Sequence, residues 1–277
     1  MCTCSAARVI KTISTGDVGV LGVTLVDDEL FVLLDRDSDQ VAVYSVNDYR
    51  LLRHLSLYGL KRWYGFQLDS VNDQTSCVRH RCLYASDRDN KCVHRYHMAS
   101  SAISKLSVPG LPYRLSVTPS ANLLVACRRP DKLVELNADS GQCVREITLQ
   151  SDFEYPRHAV QLTTGQYVVC DHGFWHSLHR VCIVDDDGRV TRSYGGQQRG
   201  SDVGQLDLPC HLAVDEHSQF IFVADRNNDR VVVLSPTLEF VRYISEGLSR
   251  PHRLYLHQET RRLYVGQWNS DVAVIQL

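Results

Sequence analysis

No apolar run in this chain approaches the ~20 consecutive residues that a helix needs to cross a bilayer. Met1–Thr15 holds no apolar core of the kind an export signal carries, so the expectation is a soluble, cytoplasmic protein with no membrane partner. Hydrophobic residues spaced for helical repeats are missing as well. There is no Gly-x-Ser-x-Gly elbow, no phosphate-cradling glycine loop and no His-Glu-x-x-His, so hydrolase, nucleotide and zinc-protease chemistry lack their sequence handles. Neither sign of charge dominates: 30 Lys and Arg against 32 Asp and Glu leave a net −2. At 277 residues the chain can bury roughly 75% of its unfolded surface, which one large domain accommodates.

The ten cysteines are scattered along a long chain rather than packed into a short one, and are read as reduced thiols. Cys127, Cys143, Cys170 and Cys182 sit in or beside apolar runs, where a free thiol behaves as a small hydrophobe. Cys77, Cys82, Cys92 and His97 form the one cluster with a zinc-like look. The Cys77–Cys82 gap exceeds the usual tight knuckle, and Cys92 to His97 falls across a strand, so the structural reading is preferred and no metal or cofactor is expected.

What the chain does have is repetition. A polar turn flanked by short apolar runs recurs at Asp35, Asp87, Cys127, Asp171, Asp225 and Gly266, spaced about 40 to 54 residues apart. Ahead of four of these anchors lies a matching start signal: Pro112–Leu115, Pro156–Ala159, Pro209–Leu212 and Pro251–Leu254. Several short strands per copy at this period are what four-stranded propeller blades give. Asp at a turn head accepts hydrogen bonds from the next amides, and Asn228 tolerates left-handed backbone. The expectation is an all-β, six-bladed propeller of antiparallel blades over residues 8–277, with 1–7 as a tail. The last copy lacks an outer strand, and the run at residues 8–15 is placed to supply it and close the ring.

Gly195, Gly196, Gly204–Leu206, Pro209, Leu212–Asp215, Phe222–Asp225, Asn228, Arg230 and Val231 together resemble the NHL repeat. The resemblance implies a six-bladed propeller, and is nearest to the C-terminal NHL domains of tripartite-motif ubiquitin ligases. Those domains commonly bind RNA or protein on one face of the disc. No RING, B-box or coiled coil appears in the sequence, so a ligase activity would come from a fused or recruited subunit.

In a propeller, the links into each inner strand and the turns between second and third strands converge at one channel mouth. Here those positions collect Lys61, Arg62, Trp63, Tyr64, Tyr113, Arg114, Tyr155, Arg157, His158, His211, Arg250, His252 and Arg253, while the turns add Arg88, Lys91, Arg128, Arg129, Lys132, Phe174, Trp175, Arg226 and Trp268. A near-neutral chain with one basic, aromatic-rich face suits an anionic partner whose bases stack, single-stranded or looped RNA. Arg114, Arg157 and Arg253 are then expected at phosphates, and Tyr64, Tyr113, Tyr155 and Trp175 at bases. A protein or peptide partner suits the same residue types, and the turn arginines have Asp37, Asp39, Asp89, Asp131 and Asp229 nearby as partners. A monomeric propeller is expected in either case.

The catalytic alternative is a metal-dependent propeller enzyme. Peptidyl amidoglycolate lyases hold zinc near the axis through histidines in a Pro-His-x-Leu setting, and Pro251–Leu254 matches that pattern while Cys210, Arg157 and Tyr113 occupy the equivalent positions. His158 and His211 are displaced by one residue, which in a strand turns the ring to the other side. Lactonase-like calcium propellers need an acidic cage, whereas Asp35, Asp87, Asp171 and Asp225 repeat once per blade as turn caps. Blade four inserts His172–His179 at its turn; Phe174 and Trp175 there either mark a contact loop or fold back over the blade edge, and His172, His176 and His179 are expected as solvated loop histidines.

Overall fold

A computed structural model describes residues 7–16, 18–34, 40–56, 68–71, 82–173, 178–268 and 271–277. It begins with β1 (Arg8–Ile13), which belongs to the last blade. Blade one holds β2 (Val20–Val26), β3 (Glu29–Leu34), β4 (Gln40–Ser45) and β5 (Leu51–Ser56). Blade two holds β6 (Leu68–Val71), β7 (Cys82–Asp87), β8 (Cys92–His97) and β9 (Ile103–Ser107). Blade three holds β10 (Leu111–Val117), β11 (Leu123–Arg128), β12 (Lys132–Leu136) and β13 (Cys143–Thr148). Blade four holds β14 (Pro156–Gln161), β15 (Tyr167–His172), β16 (His179–Val184) and β17 (Val190–Gly196). Blade five holds β18 (Pro209–Val214), β19 (Ile221–Asp225), β20 (Arg230–Leu234) and β21 (Phe240–Ile244). Blade six holds β22 (Pro251–His257), β23 (Arg262–Gln267) and β24 (Val272–Gln276), with β1 antiparallel to β24 as its fourth strand. The expected six-bladed, N-terminally closed propeller is the fold. Among the described residues, no helix is long and apolar enough to cross a membrane.

The second and third strands of the blades read as nearly continuous apolar runs because both of their faces are covered. In β11, Leu123, Val125 and Cys127 pack towards blade two, while Leu124 and Ala126 pack towards blade four. The same alternation gives six separate cores, one between each pair of neighbouring blades, including a sixth in which Ile13, Tyr264, Val272 and Val274 meet Val20, Leu25 and Leu30. Burying a side chain such as Val232 or Leu234 contributes roughly 1.5–3 kcal/mol, so the ring is held by the blade-to-blade seams.

The Asp-headed turns do what their chemistry implies. Asp225 accepts hydrogen bonds from Asp207 N–H (2.7 Å), Asn228 Nδ2 (2.8 Å) and Arg230 Nε (2.8 Å), and Arg230 reaches on to the carbonyls of Ser201 and Gln205. Asp171 likewise accepts from Tyr155 N–H (2.7 Å) and from Arg180. Each buried carboxylate therefore ties the link entering the inner strand to the turn beside it. β17 runs to Gly196. Gly195 permits this, with φ of +86° and a missing Cβ that would stand 2.3 Å from the His179 carbonyl oxygen.

Candidate functional site

Inner strands β2, β10, β14, β18 and β22 all carry a register shift at the same place, between Val20 and Gly22, Pro112 and Arg114, Pro156 and His158, Pro209 and His211, and Pro251 and Arg253. The bulged residues are Leu21, Tyr113, Arg157, Cys210 and His252. A bulge re-aims the side chains around it, and repeating it five times turns a set of strands into a shaped rim. Proline at the preceding position in four of the five fits, since it lacks the N–H that the ladder would otherwise use there.

Arginine and aromatic side chains interleave along this rim. Arg128 lies over the Tyr155 ring at 3.5 Å and Arg157 lies 3.9 Å from the same centroid. Tyr155 meets Tyr113 edge-on with their hydroxyls hydrogen-bonded, and Arg88 Nη1 donates to the Tyr113 hydroxyl at 3.0 Å. On blades five and six, Arg226 covers Trp268 at 4.2 Å, and Trp268 stands edge-on to His252 at 4.7 Å. Tyr113 and Tyr155 are only 5% and 9% exposed, so their faces are already occupied by guanidinium groups.

Arg114 sits deeper, 7% exposed, with Nη2 2.9 Å from His252 Nε2. Arg253 donates to the same nitrogen at 3.0 Å and to the Leu21 carbonyl at 2.6 Å. Burial pushes the guanidinium of Arg157 down to about 10, with the Arg114 charge adding to it, and burial and then Arg114 hold Arg253 well below its ordinary value. A guanidinium keeps its proton in proteins, so this end of the channel concentrates positive charge. Towards the outside, Arg88 and Arg128 each stand 3.8 Å from a carboxylate, Asp89 and Asp131 respectively, while Arg129 is exposed on the turn beside them. Lys132 is neutralised by Glu146 at 2.5 Å.

The histidines serve as pins between blades. His158 Nδ1 accepts from Leu212 N–H at 3.1 Å while Nε2 faces the Leu115 carbonyl at 3.3 Å, so one ring joins blades three, four and five. It stacks on His211 at 3.9 Å, and His211 Nδ1 accepts from Leu254 N–H. His252 gives Nδ1–H to the Val20 carbonyl and turns Nε2 to the two arginines. The Cys210 thiol points at the carbonyls of Ala224, Pro251 and His252. His252, Cys210 and His211 thus do not present a set of vacant donors to one point, and the Pro-His-x-Leu zinc pattern is not assembled.

Burial corrects one expectation: His172 and His179 are buried strand residues paired across β15 and β16, not loop histidines. The two strands continue past Asp171, and His179 Nδ1 accepts from Leu208 N–H at 2.9 Å. Lys61, Arg62, Trp63, Tyr64, Phe174, Trp175, His176, Cys77, Asp35, Asp37 and Asp39 lie outside the described residues. Cys82 and His97 face each other at 3.3 Å, but Cys92 pairs with Asp87 at the other end of the hairpin. There Asp87, Cys92 and His94 bring three donor atoms within 4.8 Å. Asp87 already accepts from Asn90 and lies 2.8 Å from His94 Nε2, and burial pushes the Cys92 thiol up to about 11, so the trio is a hydrogen-bonded version of the Asp225–Arg230 turn lock.

No protein-family profile matches the chain. A stretch of 69 residues, 25% of the chain, is 37% identical to RING finger protein nhl-1 of Caenorhabditis elegans, and the chain covers 6% of that protein's length. The fold matches virginiamycin B lyase from Staphylococcus aureus with a TM-score of 0.61, at 11% identity over 95% of this chain and 82% of that one. It matches Kuenenia stuttgartiensis hydrazine synthase with a TM-score of 0.64, at 14% identity over 96% and 97%. At these identities the structural likeness carries the fold alone. With the nhl-1 stretch, it describes an NHL-like six-bladed propeller.

Proposed function

We propose that the chain is a non-catalytic recognition module that takes single-stranded or looped RNA at the bulged channel mouth. The observation that carries this reading is the gathering of Arg88, Arg114, Arg128, Arg157, Arg226 and Arg253 around one rim of a chain whose net charge is −2. Guanidinium groups stand over the rings of Tyr113, Tyr155 and Trp268, and the N–H fork of a guanidinium matches a phosphate. Tyr113 and Tyr155 act in this reading as supports for arginine, while Arg88, Arg128 and Arg129 make the outer phosphate contacts. The working unit is residues 8–277, a monomeric propeller in the cytoplasm.

The RING finger in the name of the nematode relative favours a second reading, in which the same rim holds a protein destined for ubiquitin transfer by a fused or recruited ligase. Buried aromatics and arginines are the residue types that dominate protein interfaces. Anisotropy binding of the purified chain to a randomised RNA pool at several salt concentrations separates the two. RNA affinity should fall with log salt by a slope of about 0.7 per phosphate neutralised, and the R128A/R129A variant should flatten that slope by roughly one to one and a half. Absence of binding at low salt would remove the RNA reading and leave the protein one.

A further inference from the structure

Arg114 is a buried charge whose surroundings do not neutralise it. Its Nη2 is satisfied by His252 Nε2, a neutral acceptor, and its Nη1 is buried with no hydrogen-bond partner among the described residues. The Cys210 thiol is its other near partner, and the charges of Arg226, Arg157 and Arg253 oppose its own. Arg226 repeats the pattern at the mouth. Its flat face is spent on Trp268, and its Nε is buried with no hydrogen-bond partner among the described residues. A buried guanidinium with an idle N–H loses solvation without recovering a bond, a cost that an anion brought to it offsets. The buried Arg114, on blade three, and the half-buried Arg226, on blade five, each keep one such N–H.

We propose that Arg114 and Arg226 form an axial site for a compact phosphate-class oxyanion, with Arg114 Nη1 and Arg226 Nε as its donors. Trp268 holds the Arg226 plane in place, and His252 holds Arg114. His252 itself is fixed by the Val20 carbonyl, so the donor pair is pre-set rather than assembled on binding. The phosphate group has two sources, a free small phosphate or a backbone phosphate of bound RNA. The site does not depend on the RNA reading, though it gives that reading an anchor if both hold.

Titration of the full chain with inorganic phosphate, at ionic strength held constant with sodium chloride, tests the proposal by calorimetry and by melting temperature. The expected result is saturable binding that raises the melting temperature, with R226Q weakening the apparent affinity at least tenfold. R114Q is expected to abolish binding and, by removing the buried charge, to melt no lower than the phosphate-free wild type. Because R114Q touches the interior, R226Q at the rim keeps the test decisive even where R114Q fails to fold. Competition against labelled RNA then assigns the source: displacement marks a backbone subsite, and phosphate binding without displacement marks a small-molecule site. Phosphate binding without any RNA binding would sink the RNA reading and leave this site standing. No saturable phosphate binding to the wild type, or undiminished binding to R226Q, overturns it.

Discussion

His158 receives the Leu212 N–H on Nδ1 and therefore keeps its proton on Nε2, against the Leu115 carbonyl; a second proton would set donor against donor. Burial holds His158, His172, His211 and His252 well below the ordinary imidazole value, with neighbouring arginine or histidine adding to the effect. Their folded values lie below the unfolded one, so the stability they confer is fully present above about pH 6.5 and is lost as pH falls. Each contributes a slope of up to about 1.4 kcal/mol per pH unit once the unfolded imidazole is protonated. Urea unfolding between pH 8 and pH 5 should show a plateau at the alkaline side and a steep decline below pH 6.5. A flat profile would show that these rings accept protons within the fold. None of this was legible from spacing. Parity along a strand predicts opposite sides for neighbouring residues, but the bulge after the proline interrupts it, and His158, His211 and proline-adjacent His252 all reach the inner strand of the next blade. What each ring meets depends on the backbone of the next blade, more than 40 residues away.

At the scale of the strand, the turn anchors were readable because Asp, Asn and Arg at fixed offsets do local chemistry: Asp225, Asn228 and Arg230 bond to one another within one turn. The bulge near the start of five inner strands was not readable, because it is a pairing irregularity and the residues at it, Leu21, Tyr113, Arg157, Cys210 and His252, share no chemistry. His172 and His179 were misplaced for a related reason, since an inserted stretch gives no sign of how far its flanking strands continue. The register corrects the last anchor: Gln267, not Gly266, stands where other blades place Asp171 and Asp225, opposite the inner-strand proline and accepting from Ser249 N–H. Gly266, one residue earlier, has a steric reason: a Cβ there would lie 2.6 Å from Val20 Cγ1 and 3.0 Å from Val23 Cγ2. The seam between blades six and one is thus closer than a methyl group allows. Gly266→Ala should destabilise by about 1–3 kcal/mol through overpacking, read as a lowered urea midpoint with an unchanged slope. V20A in the same chain should recover part of the loss by making room.

At the scale of the ring, six seams of similar construction mean that no blade has a core of its own, and closure decides whether the sixth seam exists. β1 carries Ile13 into that seam and pairs five residues with β24, while Thr15 Oγ1 accepts from Asp271 N–H at 3.1 Å. Removing residues 1–15 should lower the melting temperature by roughly 10 °C, since each buried aliphatic contributes roughly 1.5–3 kcal/mol and a chain of this size shifts about 2–4 °C per kcal/mol. The shortened chain should also aggregate, because β24 becomes an unpaired edge; scanning calorimetry with light scattering checks both, and an unaltered melt would mean the clasp is decorative. The pairing also has a direction. Arg8 lies opposite Gln276 and Ile13 opposite Val272, so the two ends of the clasp leave the sheet side by side. Tension applied between residue 8 and residue 277 peels the pairs apart one after another, whereas tension applied across any other blade must shear a whole seam at once. The disc is therefore mechanically soft along a single line, like a bracelet that opens only at its catch.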